Sequence, residues 1–162
     1  MFTYALQKSF EELFAAIDTA KKDWNNDELR KDANFRLGSY LHWIMDFWER
    51  IEKKATISSE DKSFFSAFRY ANNKLKHGKE LLALYNLSGG LEFTDFEFPF
   101  SSEPIELVWA EFEKSEKEFE NQFENYQAIL QGKQIEDTIN QSKEILNIIT
   151  RCIDDLGDRH AH

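Results

Sequence analysis

The chain has 162 residues and a formal net charge of −10, from 30 acidic and 20 basic side chains. Hydrophobic residues make up 41% and aromatic residues 15%, which is too much apolar material for a disordered chain. Only six glycines and two prolines interrupt it, so the composition favours long helices over a many-stranded β fold. We expect one helical domain over residues 1–157 and a flexible tail at 158–162.

Cysteine content and hydropathy indicate a cytoplasmic protein with no membrane association. The single cysteine, Cys152, excludes an internal disulfide and fits a reducing compartment. No apolar run approaches the ~20 residues that a membrane span needs, and we expect no signal peptide before the domain. The acidic charge disfavours broad nucleic-acid binding, so any such contact must be local or made by more than one chain.

Apolar residues at helical spacing predict the first three helices. The first helix covers about Tyr4 to Trp24. A capping pattern that starts at Asn25 opens the second helix, which runs to about Lys54. A second capping pattern, Ser58 to Asp61, opens the third helix, whose apolar stripe continues to Tyr85. On this stripe Gly78 takes a buried position, where another helix could approach closely. Simple tolerance of a glycine in the helix is the alternative.

Residues 91–109 break the helical pattern. Apolar and polar residues alternate with period two on either side of Ser101–Pro104, which suits a turn. This pattern predicts a short β-hairpin that packs its aromatic side on the helices, because so small a hairpin is not stable alone. Covering a groove or meeting a partner are the alternatives.

Two more helices complete the predicted fold. The first has an apolar stripe from Trp109 through Phe119 to Leu130, and the second runs from Ile135 to a stop at Gly157. Cys152 lies on the stripe of the second, so we expect it to be a buried small hydrophobe. The sequence therefore predicts an all-α fold, an antiparallel bundle of about five helices with the hairpin inserted at about 91–109.

The segment from Arg69 to Lys79 concentrates positive charge on an otherwise acidic chain, with one arginine, two asparagines, three lysines and one histidine. Arg69, Asn73 and His77 are four residues apart and form a row on one face of the third helix, opposite its apolar stripe. Histidine exchanges a proton near neutral pH, and arginine stabilises charge on a phosphate. The row is either such a site or ordinary solvent-facing surface.

An arginine and a histidine near the end of a helix in a small bundle resemble the HEPN superfamily of prokaryotic proteins. The resemblance implies a homodimer and a metal-independent endoribonuclease of a toxin–antitoxin or phage-defence system, with Arg69 and His77 as the catalytic pair and Asn73 in support. Seven residues separate this pair, more than is usual in the family, and Tyr70 stands where a polar residue is usual. Arg36 and His42 have the usual spacing, but they lie on different faces of the second helix.

The remaining motifs predict no cofactor and no metal site. Metal-ligand residue types cluster at the C-terminus, but a flexible tail lacks the rigid support of a metal site; they are Asp154, Asp155, Asp158, His160 and His162. The sequence contains no glycine-rich phosphate loop and no paired Cys-x-x-Cys. Two functions stay open: a HEPN-like protein that binds or cleaves RNA, and a non-catalytic helical module that binds a protein partner.

Overall fold

Five helices and one two-stranded antiparallel sheet make up the part of the chain that this computed structural model describes, residues 2–85, 105–115 and 119–159. Side chains are described from residue 3 to residue 153 of those ranges. This architecture confirms the predicted all-α bundle with a short hairpin. The elements in chain order are α1 (Phe2–Lys22), α2 (Asp27–Ile51), α3 (Ser59–Lys76), β1 (Leu82–Leu84), β2 (Leu107–Trp109), α4 (Glu120–Ile129) and α5 (Ile135–Arg159).

Helices α1 and α2 pack against each other in antiparallel directions. Their connection is short, from Lys22 to Asp27. The Asn26 side chain caps α2 by accepting hydrogen bonds from the backbone N–H groups of Glu28 and Leu29. The cap therefore lies one residue after the predicted Asn25. Further along the pair, the guanidinium of Arg36 lies 2.7 Å from a carboxylate oxygen of Glu12. None of the helices in the described ranges is long and apolar enough to cross a membrane.

Helix α3 begins as predicted but ends earlier than predicted. The Ser58 hydroxyl oxygen accepts a hydrogen bond from the Asp61 N–H at 3.0 Å, which confirms the capping pattern. The helix then ends at Lys76, well before Tyr85 on the predicted stripe and before the predicted stop at Gly89 and Gly90, because Gly78 adopts a left-handed φ of +73°. The N–H groups of Gly78 and Lys79 turn back to the carbonyl oxygens of residues 75 and 74, as in a Schellman motif.

The expectation that Gly78 lies on a buried stripe is therefore wrong. Gly78 is exposed, and no atom lies within 4 Å of the position that a Cβ would take there. The close approach of helices occurs instead at Gly38, where a Cβ on α2 would lie 2.2 Å from Cδ2 of Leu75 on α3. Sequence periodicity could not separate these glycines, because the apolar residues after Gly78 belong to a strand and not to the helix.

Strands β1 and β2 pair in the register Leu82↔Trp109, Ala83↔Val108 and Leu84↔Leu107. The second strand lies within the predicted hairpin, but the first strand comes from residues that the sequence assigned to the third helix. Residues 91–104 of the predicted hairpin, which include Phe96, Phe98 and Phe100, lie outside the described residues.

Trp109 fastens the sheet to the helices. Its side chain is fully buried, its ring centroid lies 5.7 Å from that of Phe68, and its indole N–H donates to the Thr138 hydroxyl at 2.7 Å. The predicted packing of the hairpin on the helices is thus correct for this strand. Because Trp109 is in β2, the helix predicted to start there begins only at Glu120.

Two expectations for α5 also differ from the structure. The helix continues through Gly157 to Arg159 instead of stopping at the glycine. Cys152 is exposed, not buried. Leu146 and Ile149 point into the core, and at about 100° per residue Cys152 is rotated away from that inner face.

Candidate functional site

A groove of about 490 Å³ lies between the C-terminal end of α3 and the start of α4. The α3 side supplies two cations and a histidine, and the opposite side supplies neutral polar groups and an aromatic ring. The groove is lined by Tyr70, Asn73, Lys74, His77, Lys79, Ser115, Phe119 and Gln122. It therefore includes the C-terminal part of the cationic segment that the sequence singled out.

Two of the three predicted site residues line this groove, and the third does not. Asn73 lies on the last turns of α3, and His77 is the exposed residue that caps the helix, with its own N–H bonded to carbonyl oxygens of the last turn. Arg69 lies one turn earlier, beside α2, and its guanidinium is 3.4 Å from the Glu49 carboxylate. The structure thus brings Asn73 and His77 together and leaves Arg69 outside the groove.

The floor of the groove is rigid and aromatic. Tyr70 is only 3% exposed, and its ring packs against those of Tyr126 and Phe123 at centroid distances of 4.9 and 5.7 Å. The Tyr126 hydroxyl donates to the Ala110 carbonyl oxygen at 2.6 Å, which joins α4 to the chain that follows β2. Burial, with a smaller contribution from Tyr70, raises the pKa of Tyr126, so this phenol stays neutral and serves structure.

The cations of the groove differ in how they are held. The Lys74 ammonium lies 5.2 Å from the ring centroids of both Tyr70 and Phe112, which is cation–π range. Lys79 is exposed and makes no ion pair with the residues that the structure describes. In a protein of net charge −10, these two cations beside His77 form a local site of opposite sign.

Sequence reasoning assigned Phe119 to the core, and this assignment is wrong. Phe119 is 75% exposed at the N-cap position of α4 and lines the groove. Phe119 precedes the first residue of α4, Glu120, so the helical spacing that predicted its burial does not apply to it. Ser115 and Gln122 were also missed, because nothing in their local sequence shows that they face the end of α3.

The second predicted pair does not contribute to the groove. Arg36 is half-buried and pairs with Glu12 and with Asp32, at 2.7 and 3.4 Å. His42 is exposed on another face of α2, with its ring 5.6 Å from that of Trp43. These two side chains have separate surroundings, as their spacing on the helix predicted.

Within the described ranges, no group of three or more His, Cys, Asp or Glu side chains is arranged to hold a metal ion. The histidines and the aspartate side chains of the C-terminal cluster lie outside these ranges. The described side chains of the groove offer a histidine that can transfer a proton, two ammonium groups that attract anions, and neutral amides and a hydroxyl that donate and accept hydrogen bonds.

Comparison of the chain with family models, with curated proteins and with solved structures found no match. The resemblance to the HEPN superfamily thus rests on the pattern of Arg69, Asn73 and His77 alone.

Proposed function

We propose that this protein is a HEPN-like helical protein of the prokaryotic cytoplasm that contacts single-stranded RNA through the groove at the end of α3. The observation that carries the proposal is the combination of Lys74, Lys79 and His77 with the exposed ring of Phe119 in one groove. Cations that follow a phosphate backbone, together with an aromatic ring on which a base stacks, are the usual elements of single-strand binding.

Each group then has a role in binding. Lys74 and Lys79 attract two phosphates, and Phe119 offers a stacking surface that any base can use. The amides of Asn73 and Gln122 can donate to and accept from a base edge or the 2′-hydroxyl, which distinguishes RNA from DNA. The acidic remainder of the surface limits contact to this groove.

Cleavage without a metal is the catalytic form of this proposal. His77 would take the proton of a 2′-hydroxyl, whose oxygen attacks the adjacent phosphorus. The bond to the 5′-oxygen breaks, that oxygen takes a proton, and a 2′,3′-cyclic phosphate is left. Arg69 would stabilise the phosphate charge. Its ion pair with Glu49 is partly exposed and long, so exchange for a phosphate costs little.

A homodimer, which the family resemblance implies, fits this chemistry because Arg69 and His77 do not share a groove within one chain. A second copy would bring a second set of these residues to the RNA. The same resemblance supports a role in a toxin–antitoxin or phage-defence system.

The test measures binding and cleavage separately, on the same purified variants. Binding of a fluorescein-labelled single-stranded RNA is followed by fluorescence anisotropy, and cleavage of that RNA is followed on gels with EDTA present. Lys79→Ala and Phe119→Ala should weaken binding, while His77→Ala and Arg69→Ala should abolish cleavage with binding largely retained. His42→Ala is the matched histidine control, and Lys62→Ala is the lysine control on an exposed position of α3.

Two results would count against this proposal. Equal loss of binding in Lys79→Ala and Lys62→Ala would show that the groove has no special role. Binding without any cleavage by folded wild-type protein would remove the catalytic form and leave an RNA-binding protein.

A non-catalytic protein-interaction module is the second candidate, and one observation favours it. Leu84, Tyr85 and Ile105 are 37, 50 and 37% exposed, and they lie near the end of the sheet at which the Tyr85 N–H donates to the Glu106 carbonyl oxygen. Under this proposal a partner covers these side chains. A Tyr85→Ser variant that loses a co-purifying partner while its RNA binding is unchanged would favour this second function.

A further inference from the structure

A second cavity lies on the other side of the bundle, between α1, α2 and α5. It has a volume of about 160 Å³, and its apolar lining includes Leu6, Phe10, Phe47 and Leu146. For comparison, an engineered cavity of roughly 150 Å³ with a similar apolar lining holds a benzene molecule. This cavity therefore has room for an aromatic ring or a short alkyl chain.

One cation is held at the edge of this apolar space. The Lys143 ammonium lies 4.1 Å from the centroid of the Phe10 ring, and Lys143 is half-buried on α5. No carboxylate pairs with it among the residues that the structure describes. Such isolation is notable because acidic side chains outnumber basic ones by 30 to 20 in this chain. The cation–π contact with Phe10 fixes the ammonium beside the cavity instead of leaving it in solvent.

The polar groups around Lys143 suit an anion with an apolar body. Asn147 on α5 also lines the cavity and carries amide N–H donors. The amide nitrogen of Gln7 on α1 already donates to the Glu11 carboxylate at 2.9 Å, and the Tyr40 hydroxyl is bonded to the Ser142 hydroxyl at 2.8 Å. Among the described residues, the lining contains no aspartate and no glutamate. A bound carboxylate would therefore meet the Lys143 ammonium and the Asn147 amide, with no acidic side chain of this described lining beside it.

We propose that this cavity binds a small carboxylic acid, with the aromatic or short alkyl body between the three helices and the carboxylate on the Lys143 ammonium. Apolar burial supplies affinity, and the charge-assisted hydrogen bond selects the anion over neutral and cationic molecules of the same shape. The site is remote in sequence from the α3 groove and does not depend on RNA binding.

The proposal is tested by NMR titration of methyl-labelled protein with four probe molecules. The chemical shifts of the Leu6 and Leu146 methyl groups are followed. Benzoate and hexanoate carry the carboxylate on a ring and on an alkyl chain, and their comparison decides which body fits. Benzyl alcohol is the neutral control, and benzylamine is the cationic one. We expect benzoate or hexanoate to bind in the millimolar range, benzyl alcohol about tenfold more weakly, and benzylamine not at all.

Two variants separate the charge from the cavity. Lys143→Met keeps an unbranched apolar chain and removes the ammonium, so carboxylate affinity should fall about tenfold, whereas Lys62→Met should change nothing. In Leu6→Phe the larger side chain should occupy part of the cavity and lower the affinity for every probe. The melting curve of this variant shows whether it folds. Equal affinity for benzoate and benzyl alcohol, unchanged in Lys143→Met, would overturn the proposal. So would the absence of methyl shifts at ~20 mM of either carboxylate.

Discussion

Asn34 joins helix α2 to the start of strand β1 through a single side chain. It is 7% exposed, and its amide oxygen accepts hydrogen bonds from the N–H groups of Leu81 and Leu82 at 2.8 and 3.3 Å. Its amide nitrogen donates to the Arg30 carbonyl oxygen at 3.0 Å. The Asn34 side chain therefore supplies an acceptor for two backbone N–H groups at the start of the strand, which would otherwise be buried without a hydrogen bond.

We expect Asn34→Ala to lower the free energy of unfolding by about 2–4 kcal/mol, because it leaves two buried N–H groups without an acceptor. Urea unfolding followed by circular dichroism measures this change. The matched control is Asn121→Ala, at an exposed position of α4, for which we expect less than about 0.5 kcal/mol. A similar small effect for both variants would mean that water or a shift of the strand replaces the Asn34 oxygen.

Two buried tyrosines predict a loss of stability at alkaline pH. Burial raises the pKa of Tyr40 and of Tyr126 above the ordinary value of 10.0, since the phenolate form is disfavoured inside the protein. A raised folded-state pKa means that the unfolded chain releases these protons first as the pH increases. The stabilising contribution is therefore complete below pH 10 and is lost above it.

Each of these tyrosines should lower the free energy of unfolding by about 1.4 kcal/mol per pH unit above pH 10. Urea unfolding of the wild type and of Tyr40→Phe between pH 8 and pH 11 measures this slope. Tyr40→Phe should reduce the slope, whereas Tyr85→Phe, at a half-exposed tyrosine, should not. Parallel pH profiles for wild type and Tyr40→Phe would contradict the assignment of the effect to burial of this phenol.

At the scale of elements, the contact between α2 and α3 depends on a glycine. Gly38 has no side chain at the point where Leu75 of α3 lies against α2, and an added Cβ would be 2.2 Å from the Leu75 methyl carbon. Further along the same pair, the rings of Trp48 and Phe65 stack at a centroid distance of 4.0 Å. The aromatic stack and the glycine contact together determine how closely the two helices approach.

Gly38→Ala should destabilise the wild type by about 1 kcal/mol, because Leu75 must turn away and this cost exceeds the gain in helix propensity. In a Leu75→Ala background the same change should instead stabilise by about 0.5–1 kcal/mol, since only the propensity gain remains. Urea unfolding of the four proteins of this double-mutant cycle measures the coupling. Additive effects would show that Leu75 does not limit the approach of the helices.

At the scale of the whole molecule, the charge distribution determines how RNA binding should respond to salt. Among the basic residues that the structure describes, Lys74 and Lys79 line the α3 groove, and the chain as a whole is acidic. Contact with two phosphates of a single strand predicts a slope of about −1.4 for the logarithm of the binding constant against the logarithm of salt concentration.

Anisotropy titrations at several salt concentrations measure this slope, and Lys79→Ala should reduce it to about −0.7. Lys62→Ala should leave the wild-type slope in place. A slope of about −2.8 would indicate contact with both grooves of a homodimer, and a steeper slope would show that RNA meets a wider basic surface than these grooves provide.

Local signals predicted a large part of this architecture. Helical spacing identified the all-α class, and the Ser58 pattern identified the start of α3, because a capping bond joins groups only three residues apart. The place of Asn73 and His77 on one side of α3 follows from the same short-range geometry. Such interactions depend on a few neighbouring residues, so the chain alone was sufficient to predict them.

Tertiary structure alone decided the composition of the candidate site and the formation of strand β1 after α3. Leu82 fits a helical stripe as well as a strand, and its pairing with Trp109 selects the strand. Arg69 meets Glu49, twenty positions away, and Phe119 reaches the groove because α4 begins only at Glu120. The sequence by itself determined the helices and the polar row, since these depend on local periodicity and capping. Strand pairing, ion pairs and exposure depend on contacts between segments that are distant in the sequence. These contacts contribute to stability only when the bundle has packed.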